Sequence, residues 1–597
     1  MEDESRLSDG SRHTYIASGA VEKIRKFIYP ILANEYTFFI FAATIIGFVA
    51  GLANFCFVFL YETLYGIVVV PFWGSSYILI STVAGGGVLF VISLFIPSSV
   101  FLGYGFPKFL EKVNLRYGAL KLKDTLSKAL GAIVTLGFGG SAGQEGPIAQ
   151  IGGGVGSLLG QTLKSSRNHS RIFIACGVAS AIAATFNAPI AGVLFAEEIA
   201  LIKDFRIGSF MPIVIASAVG TMTSRALRGN EALFTVPPYQ FAEYREFLFY
   251  AALGLTIGLF GALFIKMFYF VKDRFAAIQI PASTKPLIGG ILVGIIAIFF
   301  PYVLGNGYEH VEQVLSGQFT IWIIIGLIVL KPLATSITLG SGWPGGVFAP
   351  SIFIGTVLGG AFGKAVSPLL STNADLSSAY ATIGMGAFLA AVTQAPLTSI
   401  FLIFELTQDY QVVVPIMICS VLASAVTRFL CGGSLEGIEL KRMGIDIEEG
   451  FERNLLRSIR VEDVMIKEIE TIREDTTLRG VIEYIPKSTH TNFPVVDSNG
   501  LLTGIISLQD FREWIFEEPL KDLIVAKELA TLNVLTVTPE DTLDVVLDKW
   551  GRKPVEILPV VDKDNPKKIL GVLSRRDVIT AYNKLVSEQI IEGGKRY

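Results

Sequence analysis

Three short segments in the apolar part of this 597-residue chain place glycine a few residues before proline, a pattern typical of a helix start. They are Gly103–Pro107, Gly143–Pro147 and Gly346–Pro350. The first turn of a helix has backbone N–H groups without intrahelical partners, and these groups lie at the positive end of the helix dipole. Proline suits that turn because it has no N–H to lose. Three such helix starts, if they converge, predict a site for a small anion.

The second segment also contains a carboxylate. Glu145 stands at the start of the predicted helix, where its carboxylate would compete with an anion for the same N–H groups, and protonation would remove the competition. The residues therefore predict that Glu145 competes with the anion at this helix start, the alternative being a capping or packing carboxylate. The predicted anion-binding residues are the others of the three turns, namely Gly103, Tyr104, Gly105, Phe106, Pro107, Gly143, Gln144, Gly146, Gly346, Val347, Phe348 and Ala349.

The composition places these turns in a lipid bilayer. The chain is 51% hydrophobic and 17% charged, with a mean hydropathy of +0.56, which is too apolar for a soluble protein. Apolar runs reach the ~20 residues that cross a bilayer, and shorter runs broken by glycine predict half-crossing helices around a cavity. The net charge of −3 argues against a nucleic-acid partner. The longer runs are Thr37–Val70, Tyr77–Ile96, Phe247–Phe268, Leu287–Phe300, Ile321–Val329 and Val412–Leu430.

Basic residues precede the first apolar run and predict its orientation. Lys23, Arg25 and Lys26 lie just before it, within a predicted N-terminal segment at residues 1–34. Since positively charged flanks favour the cytoplasmic side, we expect the N-terminus to be cytoplasmic. The expected location is a multi-pass protein of the plasma (inner) membrane.

The membrane region is duplicated. Residues 135–147 align without gaps on residues 338–350, and the segment that ends at Glu198 matches the segment that ends at Glu405. Transporters commonly contain such halves in opposite orientations. We predict an all-α polytopic membrane domain with inverted repeats and broken helices over 35–445, with halves at about 35–225 and 245–431. Glu198 and Glu405 are expected to be paired structural carboxylates. Matched glycines form a stripe at every fourth position: Gly152 with Gly355, Gly156 with Gly359, and Gly160 with Gly363.

A second duplication lies in the more polar tail. Residues 471–478 match 536–543, and residues 493–497 match 558–562, both at a spacing of 65. Short apolar strands alternate with helical patterns, which predicts an α/β domain built of two similar units. The expected boundaries are a linker at 446–456, a first unit at 457–518 and a second at 519–590.

The motifs of the membrane region resemble those of the CLC family of chloride channels and proton/chloride exchangers across roughly residues 35–445. Gly143–Pro147 is similar to the family's G-(K/R)-E-G-P, Gly103–Pro107 to its G-S-G-I-P, and Gly346–Pro350 to its G-x-F-x-P. The resemblance implies a CLC-like fold, chloride as the transported ion, a homodimer with one pore per subunit, and Glu145 as the gate.

The chain departs from the family pattern at three positions. Tyr104 stands where the family has an anion-binding serine, and Glu436 aligns with a tyrosine of the intracellular gate. Ile199 replaces the internal glutamate that relays protons in exchangers. Without that relay the sequence favours a passive glutamate-gated channel, the alternative being a proton-coupled antiporter that uses Glu197 or Glu198 as its proton path.

The tail resembles a tandem pair of CBS domains, a Bateman module, over about residues 456–590. That resemblance implies an adenine nucleotide (ATP, ADP or AMP) held between the repeats by Ser507, Asp510, Ser574 and Asp577. The alternative for these residues is helix N-capping, a role that suits serine and aspartate.

Other classes of function have weaker support in the sequence. A membrane-anchored nucleotide sensor would not need polar breaks and a carboxylate in the membrane. No catalytic residues or metal site are expected, because the four cysteines and four histidines lack ligand spacing.

Overall fold

The computed structural model describes residues 34–115, 119–202, 207–230, 234, 244–369, 376–446, 453, 456–457, 459–488, 490–553 and 555–594. The chain divides into two compact units, residues 1–448 and 449–597.

The membrane unit is helical throughout the described residues. Nine of its described segments are long and apolar enough to cross a membrane. The helices are α1 (Glu35–Val68), α2 (Ile78–Phe95), α3 (Ser98–Phe101), α4 (Phe106–Leu115), α5 (Leu122–Gly137), α6 (Glu145–Thr162), α7 (Arg167–Phe186), α8 (Pro189–Phe195), α9 (Ile207–Arg228), α10 (Glu246–Ala277), α11 (Lys285–Phe299), α12 (Tyr308–Leu315), α13 (Ile321–Gly340), α14 (Phe348–Val366), α15 (Ser377–Thr393), α16 (Pro396–Thr407), α17 (Val413–Cys431) and α18 (Leu435–Arg442).

Helices begin at all three glycine–proline turns, as the sequence predicts. Helix α4 begins at Phe106, α6 at Glu145 and α14 at Phe348, so each proline lies in the first turn. Because proline has a fixed φ and no N–H, it costs little there and would break a helix further along. The three turns therefore expose helix N-termini inside the membrane unit.

The two halves repeat the same local structure about a common centre. The N–H of Gly143 donates to the carbonyl of Gly346 at 2.7 Å, and the N–H of Gly346 donates back to that of Gly143 at 2.8 Å. Asn187 and Gln394, at matched positions, both end a helix with left-handed backbone, at φ of 54° and 55°. The reciprocal bonds join the two motif turns directly and hold the starts of α6 and α14 side by side.

Glycine stripes set the closest helix contacts in each half. A Cβ atom at Gly156 of α6 would lie 1.9 Å from the carbonyl oxygen of Phe173 in α7, and one at Gly359 of α14 would lie 2.1 Å from that of Tyr380 in α15. The absent side chains let the backbones of each helix pair touch. The matched stripes therefore produce the same packing twice.

The tail unit contains two small sheets. Its elements are β1 (Ile472–Arg473), α19 (Leu478–Tyr484), β2 (Asn492–Val496), β3 (Leu502–Ser507), α20 (Ala526–Leu529), α21 (Leu543–Arg552), β4 (Ile557–Val561), β5 (Ile569–Ser574) and α22 (Arg575–Gly594). Strand β2 pairs in parallel with β1 and antiparallel with β3, while β4 and β5 form an antiparallel pair. Val537 bridges Val560 in parallel, which repeats the pairing of Ile472 with Val495. The sequence repeat is thus a structural repeat.

The two hydrophobic cores of the tail do not follow the order of the chain. Val461, from the predicted first unit, packs in the core of the second, whereas Ala526, from the predicted second unit, packs in the core of the first. Strand bridges between Ile466 and Val572 and between Ile505 and Thr531 likewise join segments of the two predicted units. A boundary at 518/519 separates the sequence repeats but not the packed units, because each unit borrows the segment that precedes the other.

Candidate anion site

The starts of α4, α6 and α14 meet at a small cavity inside the membrane unit. The volume of this cavity is about 10 Å³, which is near the ~10–15 Å³ that one water molecule needs. Polar backbone, two carboxylates and aromatic rings form its wall. The lining residues are Tyr104, Phe106, Glu145, Gly146, Phe195, Ile199, Gly346, Val347, Phe348, Thr393 and Glu436.

The Glu145 side chain lies at the N-termini of α6 and α14. Its side chain is fully buried. One carboxylate oxygen accepts a hydrogen bond from the Tyr308 hydroxyl at 2.6 Å, and the other accepts from the backbone N–H of Ala349 at 3.1 Å. Ala349 lies in the first turn of α14, so the carboxylate takes an N–H group that an anion would otherwise use.

A second, larger cavity of about 410 Å³ lies on the other side of this contact. Its wall includes Gln144, Tyr308, Glu62 and Arg228. Since Glu145 lines the small cavity and its partner Tyr308 lines the large one, their hydrogen bond stands between the two spaces.

The predicted anion-binding residues divide into three groups. Tyr104, Phe106, Gly146, Gly346, Val347 and Phe348 line the small cavity, and Ala349 contacts Glu145. Gly103, Gly105, Pro107 and Gly143 belong to the turns but, among the described residues, not to the cavity wall. Gln144 faces the larger cavity instead. The turns therefore supply helix starts, and only some of their residues reach the space between them.

The two family departures at Tyr104 and Glu436 come together in the structure. The Tyr104 hydroxyl donates to the Glu436 carboxylate at 2.5 Å, and both side chains line the small cavity. Glu436 is buried in the first turn of α18, which Ser434 caps by accepting from the N–H of Gly437. A second carboxylate therefore faces the site, where the alignment indicates only a missing tyrosine.

Glu198 and Glu405 act as reciprocal helix caps. Glu198 accepts from the N–H groups of Leu397 and Thr398 at the start of α16. Glu405 accepts from those of Ile190 and Ala191 at the start of α8. Each half thus caps a helix of the other, which is the paired structural role expected from their matched positions.

The other candidate on the proton path is Glu197. This residue is buried within a short π-helical segment, Ala196–Ala200. Among the described residues, the wall of the small cavity includes neither Glu197 nor Glu198 but does include Ile199. The two acidic candidates therefore flank the residue that faces the site.

Sequence reasoning missed three polar side chains near the site. Tyr308 follows Gly307, and the polar break at Gly305–Tyr308 directly after an apolar run was the available signal. The Lys128 ammonium donates to the carbonyls of Leu102 and Gly103, at 2.6 and 3.0 Å. Lys331, fully buried, donates to the carbonyls of Val303 and Gly305. Both lysines hold loop carbonyls in place, a role that a single lysine in an apolar run does not reveal.

The four predicted nucleotide contacts in the tail form local bonds. The Asp510 carboxylate accepts from the backbone N–H and the hydroxyl of Ser507, at 2.6 and 2.8 Å. Asp577 accepts from the same two groups of Ser574, at 3.0 and 2.5 Å. Each Ser–Asp pair stands where a strand, β3 or β5, ends. Only the second pair matches the capping alternative, because α22 begins at Arg575, whereas the described residues directly after Ser507 form turns and no helix.

Comparison with known families agrees with the two-part organisation. A family model described as "Voltage gated chloride channel" matches residues 99–428. A model described as "CBS domain" matches residues 461–517 and 526–584. The first match includes all three glycine–proline turns.

Individual relatives align with more than half of the chain. The chain is 35% identical to a ClcB-like chloride channel protein of Ralstonia nicotianae, over 53% of this chain and 75% of that protein. It is 31% identical to an H(+)/Cl(-) exchange transporter, ClcA, of Vibrio vulnificus, over 61% of this chain and 78% of that protein. The crystal structure of a slow cyanobacterial Cl⁻/H⁺ antiporter superposes with a TM-score of 0.62 and 26% identity, covering 68% of this chain and 97% of that one.

Proposed function

The chain belongs to the voltage-gated chloride channel family, and on that premise we propose that it carries chloride across a membrane in exchange for protons, with Glu145 as the group that both closes the path and takes the proton. The observation that carries this proposal is the position of the Glu145 carboxylate, on the N-terminus of α14 and between two cavities. An ionised Glu145 excludes the anion from that N-terminus, and a protonated one no longer competes.

The names of two relatives favour exchange over the passive channel that the sequence alone suggested. Both the exchange transporter of Vibrio vulnificus and the cyanobacterial antiporter move protons against chloride by name. The relative from Ralstonia nicotianae is named a channel. One observation favours a passive channel as the second candidate: the apolar side chain of Ile199 lines the cavity at the position of the exchangers' internal glutamate.

The experiment that separates these functions records chloride and proton movement in the same vesicles. The purified full chain is reconstituted into liposomes loaded with chloride, and efflux is started with and without an imposed pH gradient. Exchange predicts that protons move in fixed proportion against chloride and that a proton gradient alone drives chloride uphill. If chloride flows without protons, the protein is a passive channel and the proposal of exchange is wrong. If no chloride flows, both functions are wrong.

The assembly expected from the family resemblance is a homodimer with one pore per subunit, with the N-terminus and the tail in the cytoplasm. Light scattering of the detergent-solubilised protein tests the first part. Labelling of introduced cysteines in intact cells tests the second.

For the tail, we propose an adenine-nucleotide site at the Ser–Asp pairs that end β3 and β5. We expect Asp510→Ala and Asp577→Ala each to weaken ATP binding to the full-length chain by at least about tenfold, since a lost charge-assisted hydrogen bond costs ~1.5–3 kcal/mol. Calorimetry with ATP measures the change. Asp522→Asn, at a surface carboxylate paired with Arg479, serves as the control. Absence of ATP, ADP and AMP binding to the unmodified chain would contradict the proposal.

A further inference from the structure

Tyr104 and Glu436 form a buried pair on the anion path that the proposed role of Glu145 does not use. They are 332 positions apart, and their side chains approach to 2.5 Å with the phenol as donor. Both line the cavity that Glu145 also lines. The cavity thus has a carboxylate at Glu145, a second at Glu436, and space for about one water.

Charged and titratable groups around Glu436 have partners of their own. Lys272 of α10 pairs with Glu439, one turn further along α18, and the Tyr269 hydroxyl donates to the carbonyl of Leu435. Lys128 of α5 holds two loop carbonyls. Among the described residues, no lysine or arginine forms an ion pair with Glu436. The side chain that donates a hydrogen bond to the Glu436 carboxylate is Tyr104.

The Tyr104 hydroxyl can donate to only one acceptor at a time. Tyr104 has a single O–H, and an ionised Glu436 accepts it. While that bond exists, the hydroxyl cannot donate to an anion in the cavity, and the negative carboxylate repels the anion as well. A protonated Glu436 carries its own O–H and has no charge, so it can donate to the phenolic oxygen. The Tyr104 hydroxyl is then free to turn to the anion.

We propose that Glu436 is a second protonation site on the anion path, and that its protonation transfers the Tyr104 hydroxyl from Glu436 to the bound anion. One proton enters at the carboxylate and one hydrogen bond moves to the anion, with no change in any covalent bond except the new O–H. Proton binding and anion binding at this cavity are therefore linked and favour each other, because linkage is reciprocal. As an account of how protons reach Glu145, this inference rests on the proposed exchange function.

The linkage itself is tested by equilibrium binding, without transport. Chloride binding is measured by calorimetry on the purified full chain carrying Glu145→Gln, which removes the competing gate carboxylate. In that background we expect the chloride Kd to rise at least about fivefold between about pH 5 and about pH 8, as Glu436 loses its proton. Adding Glu436→Gln should leave a Kd that is the same at both pH values.

Two further variants separate the carboxyl group from general damage to the site. Glu436→Asp keeps a carboxyl and should keep a pH-dependent Kd. Glu439→Gln, on the same helix but paired with Lys272, should also keep it. The proposal is overturned if the Glu145→Gln chain binds chloride equally at both pH values, or if the pH dependence survives the loss of Glu436.

Transport then distinguishes this inference from the proposed function. If vesicles with the unmodified chain exchange protons for chloride, Glu436→Gln should lower the number of protons moved per chloride by at least about tenfold. An unchanged number of protons per chloride would show that Glu436 does not relay protons to Glu145. If unmodified vesicles move chloride alone, the exchange function fails. The pH-linked binding would still be decided by the calorimetry.

Discussion

Glu145→Gln is expected to stop proton movement while chloride continues to flow. Glutamine has the shape of a protonated glutamate but cannot exchange a proton, and it has no charge with which to compete for the N–H of Ala349. We expect the number of protons moved per chloride to fall at least about tenfold. Chloride flux through the unmodified chain should rise as the pH falls, because protonation removes the competing charge. In the Glu436→Gln background, which removes the second carboxylate of the cavity, adding Glu145→Gln should give a chloride flux that is high and the same at every pH.

The measurement is paired chloride and proton recording in liposomes between about pH 5 and about pH 8, the same range as in the binding measurements. Asp124→Asn is a matched control, since Asp124 is a carboxylate of the same unit that pairs with Lys112 and, among the described residues, lines neither cavity. It should retain both proton movement and pH dependence. If chloride flux through the chain that carries both Glu145→Gln and Glu436→Gln still follows pH, Glu145 is not the gate.

Gly156→Ala is expected to have the largest effect on folding. Its new methyl group would lie 1.9 Å from the carbonyl oxygen of Phe173, and the three nearest atoms all belong to the backbone of Phe173 and Ile174, which cannot turn away as a side chain could. Overpacking a tight core costs ~1–3 kcal/mol and sometimes more, and we expect a cost at or above the upper end of that range. Gly359→Ala, at the matched position in the other half, should have a similar effect because its methyl would lie 2.1 Å from the carbonyl oxygen of Tyr380.

The yield of monodisperse protein, and the temperature at which half of it is lost, report this destabilisation by size-exclusion chromatography in detergent. Gly87→Ala provides the comparison, since Gly87 also lies within a membrane helix but its added methyl would meet nothing closer than Leu287 at 3.9 Å. That variant should behave as the unmodified chain. If Gly156→Ala is equally stable, the α6–α7 contact is looser than the structure indicates.

Much of the fold could be read from local patterns. Hydropathy predicts the long helices, and the apolar run Ile321–Val329 indeed lies within α13, which continues to Gly340. Glycine before proline predicts where α4, α6 and α14 begin, because both residue types act on their own backbone. The spaced repeats predict two related halves and two related tail units, which the sheets and bridges confirm.

Contacts between distant segments could not be read in the same way. The sequence shows Glu436 as a departure from a family pattern, but its contact with Tyr104 depends on how α18 packs against α4. The sequence likewise places Val461 in the first tail unit, although its side chain completes the core of the second. In both cases the partner is set by packing across the fold.

Hydropathy, the internal repeats and the glycine–proline turns are enough to show that this protein lies in a membrane, that its membrane region contains two similar halves, and that a carboxylate stands at the start of one of three intramembrane helices. These properties follow from hydropathy and from the backbone preferences of glycine and proline, which act within a few residues. The contacts of that carboxylate with Tyr308 and Ala349, and the presence of Glu436 at the same cavity, become visible only in the folded unit. Hydrogen bonds between side chains form over about 3 Å, and the helices reach that proximity only when the whole unit is packed.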